Sequence, residues 1–379
     1  MRPRDMEGRA AGILAAMTAT VGEWLAALEA LYPSDWAEGW DSTGLQVGDR
    51  IWPASRILVA LDPSPEVLSE ARDRGCSLLV THHPLLFRPL ARMDLSDPVA
   101  RSAVDTAANG VAVAACHTNA DVASPGVSDV LADALGVEVT GILRPTGAGS
   151  TVKLVTFVPV EATAKVLDAA AQAGAGVIGE YTHCSFRVTG TGTFMPSEGA
   201  HPAIGDRGSL NEVDEDRLEV VVPRERLAET VEAVVAAHPY EEVAYDVYPT
   251  EGPTGLGVGR LGRLAEPVTV ADLAQRCRER LEAEVRVAGP PDLRFTEVAV
   301  CGGSGGDLIP DAIRARVGAV VTGDVRHHQA LDATAAGLGV IDAGHFATEW
   351  PFVPRLAERL RGTGLGEVEV SAVRTDPFS

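Results

Sequence analysis

Residues 56–83 read RILVALDPSPEVLSEARDRGCSLLVTHH, and the fold follows from how that stretch divides. RILVALD (56–62) is a near-continuous apolar run, the pattern of a strand buried on both faces. SPEVLSEARDRG then reads as a helix, with Ser64 suited to the N-cap, Pro65 to the first helical position and Gly75 to the exit. CSLLVTHH is a second buried strand, ending in Thr81 and two adjacent histidines. Strands alternating with helices in this way imply a mostly parallel sheet covered on both faces.

Working outward, the pattern VGEWLAALEALYP from Val21 is an amphipathic helix closed by Pro33. Downstream, DPVARSAVDTAANG is a helix and VAVAACHTNAD a third strand. The order of elements changes near residue 150. TVKLVTFVPV, EATAKVLDAAAQAG, CSFRVTGTGTF, DRLEVVVP, RERLAETVEAVVAAH and EVAYDVYP read as β-α-β-β-α-β, with a Gly-Thr turn in the third segment. That is the ferredoxin-like split unit. PTGAGS and PTEGPTG flank it, and such Gly/Pro-rich stretches tolerate insertions. After residue 254 the α/β order resumes with VTVADLAQRCRERL, TEVAVCGGSGGDLI, GAVVTGD and LGVIDAGH. The expected organisation is an α/β domain built from residues 17–145 and 254–379, interrupted by a ferredoxin-like domain over 146–253. Residues 1–16 read as a dispensable tail, and Met17 offers an alternative start.

The composition narrows the function classes. The formal net charge is −21, with no block of Lys and Arg, so a nucleic-acid partner is not expected. No stretch approaches a membrane span, and MRPRDMEGRAAGILAAM makes a poor signal peptide. The five cysteines, Cys76, Cys116, Cys184, Cys277 and Cys301, form no C-x-x-C pair. Their odd number and wide spacing argue against a disulfide framework and point to reduced thiols in the cytoplasm.

The chemistry concentrates at strand ends. LLVTHH, VAVAACHTNAD and GVIDAGHFATE each place polar residues where an apolar strand stops. In open parallel sheets ligands bind beyond the carboxyl ends of the strands. If these strands share a sheet, His82, His83, His117, Asp121, His345 and Glu349 converge on one rim. AVVTGDVRHH, with Asp324, His327 and His328, fits the same plan. Imidazole and carboxylate without thiolate suit Zn, Fe, Mn or Ni. Adjacent histidines facing apart could serve two ions a few ångströms apart, with Glu349 as the natural bridge. His345 and Glu349 share a face if helical. Pro351 and Pro354 weaken that reading, and Thr348 could instead cap a helix beginning at Glu349, leaving His345 in the turn before it. His327 and His328 stand as substrate-facing or supporting groups.

Other features carry less. GVGRLG (257–262) satisfies G-x-G-x-x-G, but no strand precedes it and Pro267 interrupts the helix that should follow. GGSGG (302–306) lacks the Gly-Lys-Ser/Thr of a P-loop and reads as a tight turn with close backbone approach, or an anion cradle. His183, Cys184, His201 and His238 match no standard zinc spacing. Asp62 could cap a helix or support a site from behind.

Taken together, THHPLLF (81–87), HTNAD (117–121), VCGGSGGDLI (300–309), TGDVRHHQALDA (322–333) and GHFATEWP (344–351) resemble, in this order, the NIF-three-like proteins, also called GTP cyclohydrolase 1 type 2 homologs. WDSTGLQVGD (40–49) resembles the family's WDNxGLQVG signature, with Ser42 where Asn is usual. CSFRVTGTGTFMP and HPYEEVAYDVYP resemble the PII/CutA-like module of the longer members. The resemblance implies a dinuclear divalent-metal centre held by His82, His83, Asp121, His345 and Glu349, with Glu349 bridging. It implies that His117, Asp324, His327 and His328 sit nearby without being the usual ligands. It also implies a ring-like homo-hexamer with the metal sites facing an interior cavity.

The expected function is that of a cytoplasmic hydrolase with two divalent ions (Zn, Fe, Mn or Ni) acting on a small phosphorylated or purine-like molecule. His327 or His328 would shuttle a proton, and Asp324 and His117 would support the ligands. The alternative is a metal-dependent binding or chaperone-like ring without turnover, whose inserted module senses a small ligand.

Overall fold

The computed structural model describes residues 19–146, 151–179, 181–250 and 255–378; the expected tail over 1–16 lies outside them. The chain divides into two compact units. One is formed by the residues up to Thr146 and from Gly255 on, the other by Gly147–Thr254. In chain order the first unit supplies β1 (Gly44–Val47), β2 (Arg56–Ala60), β3 (Leu78–Thr81), β4 (Ala112–Ala115) and β5 (Val137–Pro145). The insert supplies β6 (Thr151–Pro159), β7 (Ser185–Phe194), β8 (Asn211–Pro223) and β9 (Tyr245–Pro249). The first unit resumes with β10 (Gly257–Thr269), β11 (Arg286–Ala288), β12 (Arg294–Ser304), β13 (Ala319–Gly323), β14 (Gly339–Asp342) and β15 (Glu367–Val370).

The stretch 56–83 folds as its pattern requires. Ile57, Leu58, Leu78, Leu79 and Val80 are fully buried, so β2 and β3 are covered on both faces. Ser64 Oγ accepts from Val67 N and caps the helix Pro65–Asp73, with Pro65 in its first turn. One point differs from expectation: the first unit contains two sheets, not one. The first runs β1-β4-β3-β2-β15, the second β11-β14-β13-β12-β10-β5. Each has a parallel centre and antiparallel additions: β1 on β4, and β10, β5 and β11 on the second sheet. The extra antiparallel strands come from VEVTGILRP and GVGRLGRLAEPVT. The GVGRLG motif is therefore interior to a strand. Its Arg260 is 1% exposed and forms a bidentate pair with Asp129 (2.9 and 2.7 Å), while also donating to the carbonyls of Gly257 and Gly259. A buried arginine so fully paired fixes the packing of β10 against the helix Val127–Leu135.

In the insert the strand order is β7-β8-β6-β9, antiparallel throughout. The helices Thr163–Gln172 and Leu227–Ala237 complete the element order β-α-β-β-α-β, and Val166 and Val234 pack against Leu154, Leu218 and Val220. The expected Gly-Thr turn is absent; TGTGT stays extended and β7 pairs with β8 from Ser185 to Phe194. No helix among the described residues is long and apolar enough to cross a membrane.

Candidate metal centre

The parallel strands β3 and β4 end together at Thr81 and Ala115, and β13 and β14 at Gly323 and Asp342. His82, His83 and His117 leave the first pair, Asp324 and His345 the second. The histidines thus converge across two sheets instead of along one rim.

Local bonds set each ring. His83 N donates to Leu61 O (2.9 Å), and Thr81 Oγ1 donates to His83 O (2.6 Å), which holds the turn after β3. His82 Nδ1 lies 2.9 Å from Cys116 O, an acceptor only, so Nδ1 carries a proton and Nε2 is the atom turned to the centre. His83 Nδ1 meets Asp62 Oδ1 at 2.7 Å, and His345 Nδ1 meets Asp324 Oδ2 at 2.7 Å. His117 Nδ1 meets Asp41 Oδ1 at 2.8 Å, and Asp41 Oδ2 accepts from Thr118 N and Oγ1. Each of the three rings is therefore oriented by a carboxylate behind it, the arrangement that fixes tautomer and direction in metal sites.

The inward atoms form interlocking groups: His82, Asp121 and Glu349; His83, His345 and Glu349; and His82, His83 and His117. In the first, His82 Nε2 lies 3.6 Å from both Asp121 Oδ1 and Glu349 Oε1. In the second, His83 Nε2 and His345 Nε2 are 3.3 Å apart and stand 3.1 and 3.2 Å from Glu349 Oε2. Three lone-pair atoms so close repel unless positive charge lies among them. Protons or a metal ion can supply it. A tetrahedral ion with bonds of about 2.0–2.1 Å would set its ligand atoms about 3.3 Å apart, so the spacing fits. His82 Nε2 and Glu349 Oε2 are also buried without a hydrogen-bond partner, as ligand atoms would be.

The electrostatics agree. Burial alone would depress His83, but the hydrogen bond to Asp62 and the close negative charge of Glu349 and Asp62 raise it to about 10. His345 is raised to about 9 in the same way, by Glu349 and Asp324 against burial. Burial would raise Glu349, yet the charge of His82 and the close approach of the His345 and His83 rings hold it well below the usual carboxylate range. Burial raises Asp121, and the charge of Glu349 adds to that.

Glu349 reaches the centre because GHFATE is helical from His345 to Glu349, so the two residues share a face. The alternative of a helix beginning at Glu349 under a Thr348 cap does not hold. Thr348 Oγ1 instead donates back toward Gly344 O and His345 O (both 2.9 Å) and accepts from Gly303 N (2.9 Å). GGSGG is no tight turn, since residues 302–304 still belong to β12, but it makes the close approach expected of it. Gly303 has φ +65°, and a Cβ there would stand 2.1 Å from Glu349 Oε1.

His327 and His328 begin an exposed helix and belong to none of the ligand groups. In the insert, His201 pairs with Arg207 and His238 with Phe157 O and Tyr240 N, so they form no common set with His183 and Cys184. Of two supporting acids, the sequence leaves Asp62 between a helix cap and a support for the site, and does not single out Asp41. Asp62 turns out to orient His83, and Asp41, in WDSTGLQVGD, orients His117. Within the same motif Gln46 Oε1 accepts from Leu86 N (2.8 Å), tying it to the THHPLLF loop. That neighbourhood was the available signal.

The sequence profile of Duf34/NIF3 (NGG1p interacting factor 3) matches residues 19–377. The GTP cyclohydrolase 1 type 2 homolog of Mycobacterium leprae is 41% identical over 372 residues, covering 96% of each chain. That of Bacillus subtilis is 40% identical over 321 residues, covering 84% of this chain and 86% of its own. Among solved structures, a Bacillus cereus protein related to NIF3 is 38% identical with a TM-score of 0.67, covering 95% of this chain and 98% of its own.

Proposed function

The chain belongs to the Duf34/NIF3 family, and on that premise we propose that it is a hydrolase of a small phosphorylated or purine-like molecule, working with two divalent ions per subunit. Glu349 carries the reading. Its Oε1 faces His82 and its Oε2 faces His83 and His345, so one buried carboxylate serves two donor groups. Imidazole and carboxylate donors suit Zn, Fe, Mn or Ni. Such ions, when bound, supply Lewis acidity and bring the pKa of a coordinated water toward about 7.

The chain's own residues do the rest. Asp62 and Asp324 keep a proton on Nδ1 of His83 and His345 and so aim both Nε2 atoms inward. His117, held at Nδ1 by Asp41, turns Nε2 toward His82 and His83, where it can hold or pass a proton. The exposed His327 and His328 give way to it in that role. Trp40 and Phe87, 60% and 47% exposed, stand edge to face beside His117 and offer a flat apolar surface suited to a purine ring. The relatives' name points to the same substrate class. A PII/CutA-like kinship of the insert, supported by its strand order, and a ring-like homo-hexamer, testable by sedimentation velocity, belong to the same proposal.

Elemental analysis of the purified protein and of Glu349→Ala tests the metal centre. Metal in the wild type, lost in the variant, is expected; full metal content in Glu349→Ala overturns the bridging role. Turnover of GTP, cyclic nucleotides or phosphomonoesters that EDTA abolishes supports the hydrolase. Metal without turnover supports the alternative of a binding protein, which the cavity in the insert also favours.

A further inference from the structure

A cavity of about 710 Å³ lies wholly within the insert. Its apolar wall comes from Phe157 on β6, Val188 and Phe194 on β7, and Met195, Pro202 and Ile204 in the loop that follows. That loop is tied down, with Gly208 N donating to Pro196 O (2.9 Å) and His201 N to Glu241 Oε1 (2.7 Å). The TGTGT run opens the space. Gly190 pairs across the ladder with Glu215, and nothing lies within 4 Å of where its Cβ would stand. A Cβ on Gly192 would fall 1.9 Å from Glu215 Oε2, so the glycine is what lets the carboxylate lie there.

Glu215 is 9% exposed and lines this cavity. Tyr240 OH donates to its Oε1 at 2.8 Å. Arg217, the basic residue of the wall, pairs instead with Glu219 (3.0 Å), and Glu241 and Glu242 add negative charge to the lining. His238, beside Tyr240, feels the charge of Glu215, but burial pushes its own pKa down, and among the described residues no Lys or Arg pairs with Glu215, so a cation entering the cavity would supply the charge that this carboxylate lacks. Phe157, Phe194 and Tyr240 line the same cavity, with the rings of Phe194 and Tyr240 6.1 Å apart. Ring faces and a carboxylate together attract an organic cation, whereas the hydrophobic wall gives a hydrated metal ion little to bind. We propose that the insert binds an organic ammonium: its nitrogen pairs with Glu215 Oε2 and its apolar body fills the space between Phe157, Phe194 and Met195.

The test uses the full chain at physiological salt and three probes of one shape: phenethylammonium, 2-phenylethanol and phenylacetate. Isothermal titration calorimetry should rank them in that order. Glu215→Gln should weaken phenethylammonium by about tenfold or more and leave 2-phenylethanol within about twofold. Met195→Lys changes a side chain that is 63% exposed, so the fold is not at risk. It should weaken the ammonium and favour phenylacetate, whatever the stability of Glu215→Gln. The proposal is overturned if phenethylammonium does not bind at millimolar concentration, if phenylacetate binds as well, or if Met195→Lys leaves the ranking unchanged.

Discussion

Glu349 and Glu215 are both buried carboxylates, 3% and 9% exposed, in opposite surroundings. Glu349 is met by nitrogen atoms of His82, His83 and His345, and Asp62 and Asp324 fix two of those rings from behind. Glu215 has one hydroxyl, and the cavity it lines is mostly apolar, its basic residue, Arg217, being paired with Glu219. The same functional group at similar depth thus calls for different cations. Converging lone pairs suit a divalent ion; a carboxylate without a cationic side chain, among aromatic rings, suits an ammonium. Exchanging the two lesions breaks or confirms this contrast. Glu349→Ala should reduce bound metal from full occupancy to background while leaving phenethylammonium affinity within about twofold, since sites without shared partners act independently. Glu215→Gln should do the reverse.

The next largest effect is on pH dependence, and it belongs to the metal centre. In the metal-free protein the raised values of His83 and His345, about 10 and about 9, stabilise the fold fully below the ordinary histidine value near 6.5. That contribution is lost as pH rises through 9 to 10. A metal ion must displace the protons on both Nε2 atoms, so metal affinity should rise with pH by up to about a hundredfold per unit below about 9, where both are protonated, and level off above about 10. Calorimetry in buffers of different ionisation enthalpy would count the protons; none released below pH 8 would contradict the assigned ligands.

How much of this was legible in advance divides along physical lines. The stretch 56–83 declared itself because burial on both faces leaves an unbroken apolar run, and Ser64 and Pro65 mark the helix start. The residues of the candidate centre were legible because polar side chains at strand ends stand out. The second sheet was not. β10 reads GVGRLGRLAEPVT, and its inward Arg260 looks like a surface residue until Asp129, far away in sequence, supplies its partner. The role of Asp62 stays open in the sequence, and Asp41 does not stand out there, for the same reason: their partners, His83 and His117, are long-range. The cavity of the insert was hidden by TGTGT, whose glycines suggest a turn but stay extended and clear a surface.

Asp62→Asn gives a smaller effect. The amide oxygen still accepts from His83 Nδ1 and Thr375 still has a partner, so the geometry survives and the charge does not. Metal affinity should fall about 10–100-fold, read by competition with a chromophoric chelator. An unchanged affinity would mean that the acid merely packs behind the ring.

The smallest effect compares one substitution in both regions. Thr348→Val removes a hydroxyl that accepts from Gly303 N and donates into the first turn of GHFATE. The shape is kept, but a buried amide loses its acceptor, which costs about 1–3 kcal/mol. Thr230, in the insert helix Leu227–Ala237, is fully buried, yet its Oγ1 has no hydrogen-bond partner. Thr230→Val removes an unsatisfied polar atom and should be neutral or stabilising by up to about 1 kcal/mol. Urea denaturation should therefore move the midpoint down for Thr348→Val and leave it or raise it for Thr230→Val. Thr348→Val should also weaken metal binding, because the Gly303 loop and the helix bearing Glu349 are joined through that hydroxyl. Equal losses for both variants would show that the hydroxyl network around the metal centre is no more exacting than the insert's packed core.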